Sequence, residues 1–465
     1  MRETAAPIPR VPPVTTATRP AMNSSLLCRG RTLARSAGRR ASGTNSQAAA
    51  DNGVRGRWRR TAIMKPFTAL LGASAGTHAA DQLALATLPL TASLVLGAGP
   101  DLIGLLVAAQ SAAWLLVSLP AGVWVDRLKR RSLLLLALGL GFLASLVAVM
   151  AAAVGLPGLL GIAAFAGACG TVIYVLTSVS LLPSLVIADA LPRANARLEL
   201  ARAAVSLAAP FAAGLLAQHL SPTWGYGLAA LGAALAVVCI MALPSAAAPP
   251  AGTQRSSFVS SIREGGRFVI RHELLRGIGL CAILWNFAFF ALLAIWTPLA
   301  LGPLGLDPAR MGLAQSAYGA GLIAGALVAP ISSRRLPPLI TLIFGPAVSV
   351  VAAGLFLAAP TGDGLTLAAV GHFLVGFGPM LWLICQTTVR QLVTPASLLG
   401  RVNATVQTAI YGVRPLGALA GGMVAAQIGL SAALAMVAVA FVLSTLVILS
   451  SPLAQLRVMP RPVAT

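Results

Sequence analysis

The sequence predicts an all-α membrane protein with twelve transmembrane helices divided six and six. Three observations lead there. The 465 residues are 57% hydrophobic and only 9% charged, where soluble domains carry about 25% charged residues. Apolar stretches longer than the roughly 18 residues needed to cross a bilayer core recur along the chain. Nearly every positive charge falls in the gaps on one side of those stretches. A soluble helical protein would show polar faces at a 3.6-residue period, and most of these segments are apolar all the way round.

Residues 1–63 are polar, rich in Arg, Ser, Ala and Pro, and hold no apolar run. The composition predicts a disordered basic tail. Its Arg-rich, acid-poor character suits a transit peptide, a cytoplasmic tail or a misplaced start, and Met64-Lys65-Pro66 would make a natural beginning. No cleavable signal peptide is expected. The body divides into an N-terminal six-span half (64–243), a linker (244–274), a C-terminal six-span half (275–452) and a short tail (453–465).

The predicted spans are 66–94, 101–122, 132–153, 157–184, 200–219, 223–243, 275–301, 309–330, 337–359, 364–387, 402–426 and 429–451. Each must be a helix, because backbone polar groups cannot be left unpaired in lipid.

The net charge of +22 first suggests nucleic acid, yet thirteen of the 33 Lys+Arg lie in the first 65 residues, and most of the rest sit in short gaps between spans. Charge placed that way orients a membrane protein and builds no nucleic-acid face. With both termini inside, the inward gaps and their edges hold Arg127, Lys129, Arg130 and Arg131; Arg193, Arg197 and Arg202; Arg255, Arg263, Arg267, Arg271 and Arg276; Arg334 and Arg335; Arg390 and Arg401; and the tail adds Arg457 and Arg461. Together with the thirteen N-terminal charges, that places 31 of the 33 inside. The outward gaps hold Arg310 beside Asp101, Asp307 and Asp363. A multi-pass protein of a bacterial cytoplasmic membrane, with both termini cytoplasmic, is expected. The five cysteines, Cys28, Cys169, Cys239, Cys281 and Cys385, are scattered, and four lie in apolar segments. They read as small core residues and not as disulfides or metal ligands.

The linker opens Pro-Ser-Ala-Ala-Ala-Pro-Pro and continues with Arg263, Arg267 and Arg271 four residues apart, while Phe258, Ile262 and Val269 fall on another face. The pattern is that of a basic amphipathic helix on the anionic inner leaflet, or of a solvated connecting helix. The two halves echo each other. Arg193-Ala-Asn195-Ala opens the fifth span and Arg401-Val-Asn403-Ala the eleventh, followed by Pro210 and Gly214 in one and Pro415 and Gly417 in the other. Such internal symmetry is expected of a duplicated transporter.

Gly122-Val-Trp-Val-Asp126-Arg127-Leu-Lys129-Arg130-Arg131, between the second and third spans, resembles the signature loop of the major facilitator superfamily. The family's second glycine is Lys129 here. The body resembles the branch with enterobactin exporters and macrolide or drug efflux proteins. That likeness is carried by Leu182-Pro183, Arg193-Ala-Asn195-Ala, Ile262-Arg-Glu-Gly265, Leu274-Leu-Arg276, Gly400-Arg401-Val and Pro415-Leu-Gly417. It covers roughly residues 66–450. The resemblance implies two six-helix bundles that rock about a central cavity. It also implies that Asp126 latches the inner side by pairing with nearby arginines or the N-terminal end of the eleventh span. Asp126 can instead merely cap and orient its loop. Two departures stand out. The loop between the eighth and ninth spans, Ser332-Ser333-Arg334-Arg335, has no acid, and the fifth span reads Ala209-Pro210-Phe-Ala-Ala213-Gly214 with alanines where the family's antiporters use glycines.

Asp81 is a lone carboxylate deep in a span, about 15 residues into the first. A charge there costs about 3 kcal/mol, so it must face protein or water. His78 lies three residues earlier on the same helical face, and Gln82 is adjacent. Asp81 is thus a candidate coupling carboxylate with His78 as relay, or a structural Asp satisfied by polar neighbours. Arg414, deep in the eleventh span, can pair with Asp81, bind an anionic substrate, or donate to carbonyls freed near Pro415. His372, Asn286, Trp285 and Tyr174 lie on helices that line the cavity in the resembled family, and each can equally be a packing residue. Gly321-x-x-x-Gly325 and Gly417-x-x-x-Gly421 permit close helix approach.

The resemblance implies a proton-driven exporter of amphipathic small molecules, drug-like or siderophore-like, acting as a monomer without metal or cofactor. An importer or uniporter on the same fold is the alternative. A membrane-embedded enzyme would need a carboxylate pair, a histidine cluster or an activated nucleophile, and the four histidines are dispersed. No Gly-x-x-x-x-Gly-Lys-Ser/Thr loop is present to hold ATP.

Overall fold

The computed structural model describes residues 41–187, 190–243, 258–395 and 397–461. The chain separates into two units, Met1–Thr61 and Ala62–Thr465. The first contributes helical residues 41–61, and the second is the membrane body. Residues 1–40 of the expected tail, the proline-rich opening of the linker with Arg255, and the side chains of Asp126, Phe258 and Ile262 lie outside the described residues.

Among the described residues thirteen α-helices follow one another: α1 (Ala41–Leu94), α2 (Pro100–Arg127), α3 (Arg130–Ala153), α4 (Pro157–Leu185), α5 (Leu191–His219), α6 (Thr223–Met241), α7 (Phe258–Arg271), α8 (Glu273–Leu301), α9 (Pro308–Arg335), α10 (Pro338–Ala358), α11 (Gly364–Val393), α12 (Leu399–Gln427) and α13 (Leu430–Leu449). Eleven of them are long and apolar enough to cross a bilayer. The twelfth span is α1 from Pro66 onward, where Ser74, Thr77, His78, Asp81, Gln82, Thr87 and Thr91 dilute the apolar run. α1 begins at Ala41, so 41–63 is helical where a disordered tail was expected. That stretch is free of proline and rich in Ala and Arg, both good helix formers.

The helix ends follow local chemistry. Pro100, Pro157, Pro308 and Pro338 open α2, α4, α9 and α10, where the missing N–H is not needed. The Asp307 and Asp363 carboxylates cap α9 and α11 by accepting from the Arg310 and Thr366 amides at 2.8 and 3.2 Å. The α1–α2 and α3–α4 turns pass through Gly97 and Gly155 at φ 62° and 70°, a left-handed conformation that suits glycine. These turns lie at one end of the body, and the arginine-rich connections at the other.

Two boundaries differ from expectation. α2 runs through Gly122 to Arg127 and stops at Leu128, whose backbone is extended. Of residues 122–131, only Leu128 and Lys129 therefore lie between helices; residues 122–127 end α2, and Arg130 and Arg131 begin α3. α5 starts at Leu191, with Pro192 in its first turn, so Arg193, Arg197 and Arg202 ride on the helix itself.

α1–α6 form one bundle and α8–α13 the other. Within them α3 packs on α4 and α6, and α11 on α9 and α10. α2 packs on α12 and α5 on α9 across the halves. Both seams are closed by glycine at the turn end. A Cβ on Gly214 would lie 2.3 Å from the Pro308 carbonyl, and one on Gly312 equally close to that of Pro210. A Cβ on Gly104 would lie 2.7 Å from the Ala418 carbonyl. Such contacts let backbones meet directly. Farther along the α2–α12 seam Trp114 and Tyr411 still touch, with ring centroids 5.0 Å apart. Beyond them Gly122 and Gly400 face open space. The halves therefore meet backbone to backbone at the glycine-turn end.

α7 is docked, not free. Gly265 is buried against the Arg401 backbone, where a Cβ would sit 2.4 Å from its carbonyl oxygen, and Glu264 pairs with Arg401. Phe268 and Val269 join the apolar cluster around Leu275, Ile278 and Val402. Arg263, Arg267 and Arg271 remain exposed on the other side. Phe268 and Val269 of this helix thus pack toward α8 and α12.

Candidate functional site

Between the halves lies a cavity of about 430 Å³, within the range that holds small-molecule ligands. α1, α2, α4 and α5 supply one wall, and α8, α9 and α12 the other.

The first wall carries the titratable groups. α1 is helical through this region, so His78 and Asp81 share a face, and both line the cavity with Gln82. The Gln82 Nε2 donates to Asp81 Oδ2 at 3.3 Å. On α5, Arg202 pairs with Glu199 at 2.7 Å, also lining the cavity. Asp81 has no ion-pair partner among the described residues.

The second wall is aromatic and basic. Arg414 Nε donates to Asn286 Oδ1 at 3.2 Å. Its guanidinium lies over the Tyr411 and Phe290 rings, at 4.8 and 5.1 Å from their centroids. Trp285 stacks on Phe289 and donates its Nε1 to Ser349 Oγ at 2.9 Å, and Phe289 meets Tyr318. Such cation–π contacts stabilise a desolvated guanidinium by about 2 kcal/mol or more. They leave its charge without a carboxylate partner, so the pairing of Arg414 with Asp81 is not formed.

Two residues expected at the cavity are elsewhere. His372 is buried edge-on against Trp296 and Phe356, and its Nδ1 bonds to the Ala368 carbonyl at 2.9 Å. Tyr174 is fully buried between α4 and α1, with its hydroxyl 2.9 Å from Ser74 Oγ. Both faced inward in the helical pattern, but toward their own bundle. The kink and packing residues sit in the seams. Pro210 and Gly214 face α9, and Gly417 and Gly421 meet the Phe287 and Ala291 backbones of α8. Pro415 follows Arg414 inside α12. Gly321 and Gly325 meet Phe373 and Phe377 of α11. Gly122, Arg127, Arg130 and Arg131 stand at the open end of α2 and the start of α3, where Arg131 donates to the Met241 carbonyl at 2.8 Å.

The sequence reading had assigned Arg202 to a gap and passed over Glu199. Their spacing of three residues on a helix was the available signal. Of the aromatic wall it named Trp285 and not Phe289, Phe290, Tyr318 or Tyr411, although residues 285–290 hold four aromatics in a chain where they are 5%.

A profile of the Major Facilitator Superfamily matches residues 70–418. The chain belongs to this superfamily. Its curated relatives include enterobactin exporters called EntS. The one from Shigella boydii serotype 4 is 28% identical over 309 residues, covering 65% of this chain and 71% of the relative. That from Citrobacter koseri is 27% identical over 308 residues, with the same coverage. The fold is shared with solved superfamily transporters. A nucleoside transporter NupG variant gives a TM-score of 0.71 at 14% identity, over 83% of this chain and 99% of that one. A bacterial homologue of the iron transporter ferroportin, in an inward-facing state, gives 0.65 at 18% identity, over 83% and 98%. This superfamily member is therefore a multi-pass secondary transporter of a small molecule.

Proposed function

We propose that the chain exports amphipathic small molecules, drug-like or siderophore-like, in exchange for protons, from a bacterial cytoplasmic membrane with both termini inside. The observation that carries the reading is the division of the cavity. The α1–α5 wall presents one carboxylate without a cation partner among the described residues, Asp81, beside the Glu199–Arg202 pair, and the α8–α12 wall presents rings and one guanidinium.

Asp81 is the coupling carboxylate in this reading. An ionised carboxylate at mid-membrane costs about 3 kcal/mol. A proton removes that cost, and so does a substrate that donates hydrogen bonds to Asp81. The two compete for one charge, which makes occupancy exclusive and exchange possible. His78, on the same face, relays the proton. The aromatic wall takes the apolar body of the substrate. The arginine-rich end is cytoplasmic by the positive-inside rule, and in this reading the cavity loads from there. Asp126 acts as the latch that joins α2 to the start of α12 when that end closes. Likeness to the EntS exporters supports the outward direction.

The test is accumulation and susceptibility in an efflux-deficient host, with enterobactin and a macrolide among the compounds. Everted vesicles with a pH-sensitive dye follow. Proton release on substrate addition, lost in Asp81→Asn, is the expected result. Release that survives Asp81→Asn would remove Asp81 from the coupling role. Uptake of substrate without proton movement would favour a uniporter.

A further inference from the structure

Behind Asp81, inside the N-terminal bundle, lies a second and much smaller chamber. It is enclosed by α1, α3, α4 and α6, with Gln110 of α2 at its edge. Asp81, Gln110 and Thr171 line both this chamber and the central cavity. The carboxylate therefore stands in the partition between two compartments.

The chamber is built of small residues, chiefly alanines and glycines of α3 and α4. Small side chains alone would make a dry packing defect. Two buried polar groups argue otherwise. Gln110 is 5% exposed and Tyr226 2% exposed, and both line the chamber. Gln110 Oε1 and the Tyr226 hydroxyl have no hydrogen-bond partner in the protein. Beside the Tyr226 hydroxyl stands the Thr91 hydroxyl, which likewise lacks a well-formed hydrogen bond. An unsatisfied buried polar atom costs about 1–3 kcal/mol, so native proteins satisfy such atoms with protein or with ordered water.

Neighbouring hydroxyls show the contrast. Thr77, Ser145 and Thr171 also line the chamber, and each donates to the carbonyl four residues back on its own helix. The Thr77 hydroxyl also meets that of Tyr174 and the Thr171 hydroxyl meets the Asp81 carboxylate, while the Ser145 lone pairs face the chamber. The space amounts to about 40 Å³, and a water needs about 10–15 Å³ of such volume with two to four polar partners. Up to about three waters fit, and no organic substrate does.

We propose that this chamber is a hydrated compartment. Its waters contact Gln110, Thr171 and Tyr226, which line it, and keep the back of the Asp81 carboxyl solvated when a substrate fills the central cavity. They also offer the Asp81 proton a contact behind the partition that avoids the substrate. This last role rests on the coupling function proposed above, whereas the hydration itself does not.

Hydroxyl-radical footprinting by X-ray radiolysis, on the full chain in lipid nanodiscs, tests the hydration. Bound water generates radicals locally and labels an adjacent tyrosine however deeply it is buried. Tyr174 is the internal control, because it is equally buried and its hydroxyl is partnered by Ser74. Tyr226 should label at least about fivefold faster than Tyr174. Ala148→Leu, which fills the chamber, should bring Tyr226 down to the Tyr174 rate. Ala164→Val serves the same purpose if the larger change prevents folding. Equal slow labelling of both tyrosines in the unaltered chain would overturn the proposal. Rapid labelling of Tyr226 together with intact coupling in Asp81→Asn would keep the hydration and discard the coupling role. Slow labelling with coupling lost in Asp81→Asn would do the reverse.

Discussion

Arg414 hydrogen-bonds Asn286, not Asp81, and it does so from the opposite wall of the cavity. The guanidinium is held by one amide and two aromatic faces. Truncating its polar partner leaves a buried charge with no hydrogen-bond acceptor, a loss of about 1.5–3 kcal/mol. Asn286→Leu should therefore lower thermal stability and reduce efflux about tenfold or more. Arg414→Lys should also fail to restore efflux, because an ammonium cannot lie flat on the rings as a guanidinium does. Full activity in both variants, measured by efflux from loaded cells, would show that the arginine has no part in transport.

The glycine contact between α5 and α9 is expected to set the conformational balance. Gly214→Val would place side-chain atoms where the Pro308 carbonyl now lies, since even a Cβ falls 2.3 Å from it. The seam must open at the turn end or the helices must shift. Spin labels on α5 and α9 at that end should report a longer mean distance than in the unaltered chain. No change in the distance distribution would show that the contact is slack.

α7 offers a separation of charge from packing. The Glu264–Arg401 pair is half-exposed, and such pairs contribute about 0.2–1 kcal/mol. Glu264→Gln should shift the melting temperature little. Gly265→Val should shift it clearly more, because Gly265 lies against the Arg401 backbone. A reversed order would mean that the ion pair, and not the close approach, holds α7 on the C-terminal bundle.

The two membrane histidines should behave differently. His372→Phe keeps an aromatic ring against Trp296 and Phe356, and transport should stay within about twofold, as for a volume-conserving core change. His78→Phe removes a cavity-lining polar group, and proton-coupled export should fall several times further. Equal losses would refute the assignment of His372 to packing.

Much of this was legible in the sequence because the bilayer imposes strong one-dimensional rules. Span length, the arginine gradient and the six-and-six division follow from desolvating a backbone and a charge, and neither depends on which helices touch. Asp81 and Arg414 stood out for the same reason, being ionised groups where ionisation is costly. Which wall each faces was not legible. A helical repeat gives a direction around one axis, while the cavity is defined by several axes at once. His372 and Tyr174 point inward by that repeat, yet they are sealed inside their own bundles. Glu199 and Arg202 look like connecting-segment charges until α5 is seen to begin at Leu191. By itself the sequence determined that the protein is a twelve-span helical transporter with few, exposed choices for its charged groups. Only the tertiary structure decided that Arg414 answers to Asn286 and that Asp81 divides two cavities, because those relationships arise from packing between helices far apart in the chain.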